Sequence, residues 1–229
     1  MIERIIVRTY NYIAEMPASV NPMMFTQGLA YGGNLKPNEK IGKILFASTS
    51  SYGYLGLEEL QQLWNEKSLI DDGDFAYETL QFLCDFKDES KERNGINMAL
   101  YSTPGESLAG TQLQQFRKKY GVIKNVSDKG YMTNSFHTSV AANITPIEKQ
   151  DIEERFFKIP TGGRIQYVRI PNSSNPEAVR KLIERGISKG YYQGVNLQKS
   201  YGACGHEFFE EEYENLMENL VRFVGVATS

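Results

Sequence analysis

Two periods of apolar and polar positions interleave along this chain. From residue 2 to about 15 the apolar residues recur at helical spacing, and similar signals run over about 57–66, 74–92, 107–120, 147–157, 176–189 and 208–222. Short apolar runs around 44–50, 97–101, 165–170 and 192–197 suit strands. Between the first helix and the first strand, Pro17 to Lys40 is rich in Gly, Pro and Asn and predicts a long ordered loop. Helix and strand signals that alternate in this way predict an α/β fold. With no internal repeat and no linker-like tract, the chain reads as one domain, 1–229.

The segment joining the run Met98-Ala99-Leu100-Tyr101 to the amphipathic stretch Leu108 to Tyr120 carries candidate chemistry. It reads Ser102-Thr103-Pro104-Gly105-Glu106-Ser107, a strand, a tight turn and a helix start. The first amides of a helix lack backbone partners and, with the helix dipole, favour a phosphate or carboxylate. Gly105 lets a ligand approach the backbone closely. The alternative needs no ligand: Ser102 or Thr103 caps the helix, Pro104 starts it, and Thr103 with Glu106 forms a capping box.

A second polar cluster, Tyr131-Met132-Thr133-Asn134-Ser135-Phe136-His137, places an amide, a hydroxyl and one of the two histidines around an aromatic ring. It suits a reaction site or a polar loop whose Asn and Ser serve nearby backbone. Thr161-Gly162-Gly163-Arg164 either presses backbone against a ligand or turns into the strand that follows.

Composition narrows the function classes. With 41% hydrophobic and 12% aromatic residues, 229 residues can bury a substantial core. A net charge of −3 gives no global attraction to nucleic acid or to an anionic membrane, so any phosphate must be bound locally. No apolar run is long enough to span a bilayer, and the first residues lack a signal-peptide core, so the cytoplasm is expected. The two cysteines, Cys84 and Cys204, cannot form a disulfide framework or a four-cysteine zinc site. Cys84 falls at a core position of a helical pattern, and Cys204 with His206 makes at most a weak metal pair. Lys87 to Asn94 reads as a solvated helix end with its following turn.

Four motifs, STPGESLAGTQLQQFRKKYG, VSDKGYMTNSFH, ITPIEKQD and GGRIQYVR, occur in an order and spacing that resemble the class III anaerobic ribonucleoside-triphosphate reductases. The similarity extends upstream through Asn21 to Phe25, Tyr31 to Pro37 and Gly56 to Leu63, and downstream through Tyr192 to Leu197. It implies the second half of a ten-stranded α/β barrel of the glycyl-radical type, ending in a glycine loop. It also implies that the chain corresponds to the C-terminal portion of a catalytic subunit, as a split gene would encode.

What the resemblance implies for chemistry follows residue by residue. Ser102, Thr103, Gly105, Glu106 and Ser107 would hold the substrate triphosphate, and Asn134, Ser135 and His137 would line the substrate and reductant pocket. Arg222-Phe223-Val224-Gly225-Val226 matches the family's radical loop at Arg and Gly but has Val where the family has Tyr. Gly225 would store a glycyl radical made by a separate radical-S-adenosylmethionine activase; on pattern alone it is a helix C-cap. The family's thiyl cysteine lies in a preceding N-terminal part, which becomes an implied partner. Other implied partners are ribonucleoside triphosphates, formate or a thiol reductant, and a second copy of the chain; neither a membrane nor direct nucleic-acid binding is implied. The family's two Cys pairs for zinc are reduced here to Cys204, so residues 200–229 read as a degenerate zinc segment with the radical loop, and zinc is expected to be lost. Ala109 and Thr138-Ser139 stand where the family often has Cys and Cys-His. A degenerate fragment that binds nucleotide or another subunit without turnover is the alternative function. A phosphate-ester enzyme is a third, although no nucleophile and base pair supports it.

Overall fold

The computed structural model describes residues 1–139, 141–169, 175–190 and 195–198. The helices are α1 (Ile2–Ala14), α2 (Pro22–Phe25), α3 (Leu57–Asn65), α4 (Asp74–Asn94), α5 (Glu106–Tyr120), α6 (Pro146–Phe157) and α7 (Pro176–Ser188). The strands are β1 (Ser50–Tyr54), β2 (Met98–Ser102), β3 (Gln166–Arg169) and β4 (Val195–Gln198). Among the described residues β1 pairs with β2, and β3 pairs with β4, as two separate two-stranded sheets. The α/β class therefore holds. The expected helix over 208–222 and the C-terminal glycine loop lie outside the described residues.

The chain divides into two compact units, Met1–Tyr52 with Phe82–Tyr101, and Gly53–Gln81 with the remainder. In the first unit the segment after α1 is held by backbone bonds. Ala18 N–H donates to the Glu39 carbonyl at 2.8 Å, and Ile41 N–H donates to that of Met16 at 3.0 Å. Asn21 caps α2 by accepting the Met24 N–H at 3.3 Å, with Pro22 as the first helical residue. Gly33 is sterically required, because a Cβ there would lie 2.2 Å from the Met24 carbonyl oxygen. Glu3 of α1 accepts Arg93 Nη2 at 3.1 Å and Asn94 Nδ2 at 2.7 Å. Tyr52 and Ser90 share a buried hydroxyl bond of 2.7 Å.

One element departs from the sequence reading here. The apolar run at 44–50 forms 3₁₀ turns at Ile41–Lys43 and Leu45–Ala47, and the strand begins only at Ser50. Ile41, Ile44 and Leu45 are the buried residues, a spacing of three and four that suits a helical turn and not the alternation of a strand. Cys84 is buried as its periodicity predicts, and burial pushes its thiol up. The end of α4 is less solvated than expected, since Lys87 and Ser90 are buried.

In the second unit α3 starts after Gly56, whose φ of 83° lies in the left-handed region. Polar side chains of α3 face inward and serve backbone. Gln61 Oε1 accepts the Ala76 N–H at 3.0 Å, and Glu58 Oε2 accepts the Leu69 N–H at 3.0 Å. Burial raises the Glu58 carboxyl against that bond. A capping box of Thr145 and Glu148, with Pro146 behind the cap, starts α6. Asn175 starts α7 by accepting the Glu177 N–H at 2.9 Å. β3 and β4 run parallel, with Gln166 opposite Val195 and Arg169 opposite Gln198, so β3, α7 and β4 make one βαβ unit. In the same unit Phe136 stacks on Phe156, 6.0 Å between centroids, and meets Phe157 edge-on at 5.2 Å.

Candidate functional site

The site assembles where the four sequence motifs meet in the second unit. β2 ends at Ser102, whose Oγ lies 2.7 Å from the Tyr54 hydroxyl and whose N–H donates to the Gly163 carbonyl at 3.1 Å. The Thr161 to Arg164 turn therefore backs onto the strand end.

The helix start differs from the capping box considered for it. Gly105 is the N-cap of α5, with φ −67° and ψ −11°, and no side chain of its own caps the helix. Thr103 is drawn the other way: a Cβ on Gly53 would stand 2.3 Å from its Oγ1, so that hydroxyl lies over β1. The Gly105 N–H instead donates to Asn134 Oδ1 at 2.7 Å, a partner 29 residues further on. The first-turn amides of Glu106 and Ser107 are then the class of donor that a helix start leaves over. A side chain at 105 would crowd this junction, since its Cβ would stand 2.9 Å from Leu55 Cδ2 and 3.1 Å from Asn134 Oδ1.

The second cluster is a buried run, Met132 to Thr138. The start of α3 holds its backbone: Gly56 N–H donates to the Thr133 carbonyl at 2.8 Å, and Leu57 N–H to that of Ser135 at 3.2 Å. Glu59, one turn into α3, accepts both the Thr133 N–H at 2.9 Å and its hydroxyl at 2.7 Å, and pairs with Lys129. The other oxygen, Glu59 Oε2, is buried with no hydrogen-bond partner among the described residues. Ser135 sits at φ 41°, a left-handed conformation that costs about 1–3 kcal/mol for a residue other than glycine and persists only where the surroundings impose it.

His137 closes the run. Its Nδ1 lies 3.1 Å from Glu153 Oε2, on α6. Glu153 is wholly buried and accepts the Thr138 N–H at 3.0 Å and Lys149 Nζ at 2.6 Å. Gln166 Nε2, at the start of β3, reaches the same carboxylate at 3.4 Å. Burial pushes the Glu153 carboxyl up, but the Lys149 ammonium and the His137 imidazole outweigh it and hold the group well below the usual carboxylate range.

Ser102, Thr103, Gly105, Asn134, Ser135 and His137 thus share one region, and Glu106 and Ser107 form the first turn of the helix that opens there. Sequence reasoning missed Glu59, Lys129, Lys149 and Glu153. The signal for the last two was the four-residue spacing of Lys149 and Glu153, which on a charged helix resembles an ordinary surface pair. Among the described residues no group of three or more His, Cys, Asp and Glu side chains is placed to hold a metal ion, and no helix is long and apolar enough to cross a membrane. Gly225, Cys204 and His206 lie outside the described residues.

Known proteins give this geometry a context. The chain is 38% identical over 183 residues to the anaerobic ribonucleoside-triphosphate reductase of Enterobacteria phage T4, covering 79% of this chain and 29% of that protein. It is 31% identical over 206 residues to the enzyme of the same name from Haemophilus influenzae, covering 86% and 28%. The chain thus spans under a third of the length of the curated relatives it matches. The fold is similar to that of the Thermotoga maritima anaerobic ribonucleotide reductase crystallised with glycerol in its active site, at a TM-score of 0.54 and 16% identity over 85% of this chain and 32% of that one. A family model described as anaerobic ribonucleoside-triphosphate reductase matches residues 1–215, and the chain belongs to that family.

Proposed function

We propose that this chain is the C-terminal, glycyl-radical-bearing part of an anaerobic ribonucleoside-triphosphate reductase, acting with an N-terminal part that carries the thiyl cysteine. The observation that carries the reading is the bond from Gly105 N–H to Asn134 Oδ1, which joins a helix start suited to phosphate to the buried Thr133–His137 run. In this reading the first turn of α5, with Ser102, Thr103, Gly105, Glu106 and Ser107, holds the triphosphate. Asn134, Ser135 and His137 line the pocket for ribose and reductant. The chain contributes half of a ten-stranded barrel, with Gly225 in a terminal loop, and dimerises in the cytoplasm.

The reaction removes the 2′-hydroxyl as water and replaces it with hydrogen. The two electrons come from formate, which leaves as carbon dioxide, or from two thiols, which leave as a disulfide. The radical is installed on Gly225 by a radical-S-adenosylmethionine activase. No structural zinc is retained, because Cys204 is the one cysteine left of two pairs.

The test is electron paramagnetic resonance on the anaerobic complex of this chain, the N-terminal part and an activase. A doublet from one α-hydrogen that vanishes in Gly225→Ala is the expected result, and a doublet retained in that variant would sink the radical assignment. The loss of the zinc cysteines favours a second reading, a module that binds nucleoside triphosphate or another subunit without turnover. An assembled complex that binds nucleotide but gives no radical signal would select it.

A further inference from the structure

The His137 to Glu153 contact fixes more than the position of a ring. Glu153 has five donors around two oxygens. Oε1 accepts the Thr138 N–H at 3.0 Å, the Thr138 hydroxyl at 3.4 Å and Lys149 Nζ at 2.6 Å. Oε2 faces His137 Nδ1 at 3.1 Å and Gln166 Nε2 at 3.4 Å. Of these, Thr138 N–H, Lys149 Nζ and Gln166 Nε2 have only protons to offer, so the buried carboxylate is stable as the ionised, acceptor-only form. An ionised carboxylate has no proton to give His137, so the proton on the shared line must sit on Nδ1. Lys149 already balances the Glu153 charge, so the ring need not be cationic to be held there. In a neutral imidazole one nitrogen donates and the other accepts, and the bond made at one fixes the role of the other.

We propose that Glu153 is a positioning residue for His137, holding the imidazole in the Nδ1-protonated tautomer so that Nε2 carries the lone pair. A nitrogen in that state accepts hydrogen bonds, so the carboxylate behind the ring sets the role of His137 in its site. This consequence rests on the reading of His137 as a pocket residue; the orientation itself does not. Lys149 and Gln166 support the arrangement by occupying the remaining acceptor sites of the carboxylate, so α6 and β3 jointly set the tautomer of a residue in the loop before α6.

The tautomer is measured directly by nitrogen-15 long-range correlation NMR on the full 229-residue chain, with His206→Gln used to leave a single histidine. The expected wild-type pattern is a protonated, pyrrole-type Nδ1 and a bare, pyridine-type Nε2; the reverse pattern overturns the proposal. Lys149→Met with Glu153→Leu removes the ion pair as a unit, a replacement that buried pairs often tolerate. In that variant, shown to be folded by circular dichroism, the Nδ1-protonated form should fall from nearly all to a minority. An unchanged tautomer in the folded double variant would mean that Glu153 does not set it, and if the variant does not fold the wild-type spectrum decides alone. A wild type with the expected tautomer but no radical or turnover in the assembled complex would sink the reductase reading and leave the positioning role standing.

Discussion

Asn134 anchors the start of a helix to which it does not belong: its Oδ1 accepts the N–H of Gly105, the residue before the first turn of α5, at 2.7 Å across 29 residues of chain. Both groups are buried, so the bond is not exchanged for water when it breaks. Asn134→Ala leaves the Gly105 N–H without its partner, and an orphaned buried donor costs about 1–3 kcal/mol. Urea unfolding should show a stability lower by that amount, read as a reduced midpoint at an unchanged slope. A midpoint equal to wild type would mean that the bond contributes nothing.

Asn134→Asp tests the phosphate assignment through charge. The carboxylate still accepts the Gly105 N–H, and a negative charge beside a helix start is favourable by about 0.3–1 kcal/mol. The same charge repels a triphosphate placed there. Position 134 is buried, so desolvation of the new charge outweighs that gain and the variant should be less stable than wild type; the folded variant should bind nucleoside triphosphate at least ~10-fold more weakly by calorimetry, about 1.4 kcal/mol. Undiminished affinity would place the phosphates elsewhere.

Gly105→Ala tests the closeness of the same junction. The backbone there is ordinary helical geometry, so the substitution is not strained by conformation. It is strained by space, because the new methyl would stand 2.9 Å from Leu55 Cδ2 and 3.1 Å from Asn134 Oδ1. Overpacking of this kind costs about 1–3 kcal/mol. The expected loss in thermal stability should shrink in Gly105→Ala with Leu55→Ala, which opens room on one side. Additive losses would show that the two side chains do not meet.

Much of this region could be read from the chain, and the part that could not has a physical cause. The order strand, turn, helix around Ser102 to Tyr120 is local, and so is the burial signalled by the Thr133 to His137 cluster. The cap was misassigned because Thr103 has the right spacing to Glu106, while the acceptor that serves Gly105 comes from Asn134, where no local pattern points. β1 was displaced from the apolar run at 44–50 for a related reason: Ser50 to Tyr54 buries only Tyr52, so the strand carries almost no apolar signal of its own. Glu153 reads as a surface charge until its neighbours from two other segments, the His137–Thr138 loop and β3, surround it.

Glu153 should stay ionised in the folded unit until strong acid. Its carboxyl ordinarily titrates near 4.5; in the fold burial raises it, and Lys149 with His137 overrides that and lowers it to about 2. A group whose folded pKa is depressed contributes stability that is fully present above its unfolded value and is lost as pH falls through the folded value. The window is therefore from about 4.5 down to about 2, and neutral pH leaves the contribution intact. Lys149→Met removes the principal compensating charge and leaves a buried carboxylate, a change that costs about 3–5 kcal/mol when a pair is broken from one side. With the lysine gone, burial dominates and the carboxyl rises, so the sign inverts. Over the range in which Glu153 now titrates, the variant should gain stability relative to wild type as pH falls, because protonation relieves the unpaired charge. Denaturation midpoints for both proteins between pH 7 and pH 3 check this: the two curves should converge toward low pH, and parallel curves would show that Lys149 does not hold Glu153 ionised.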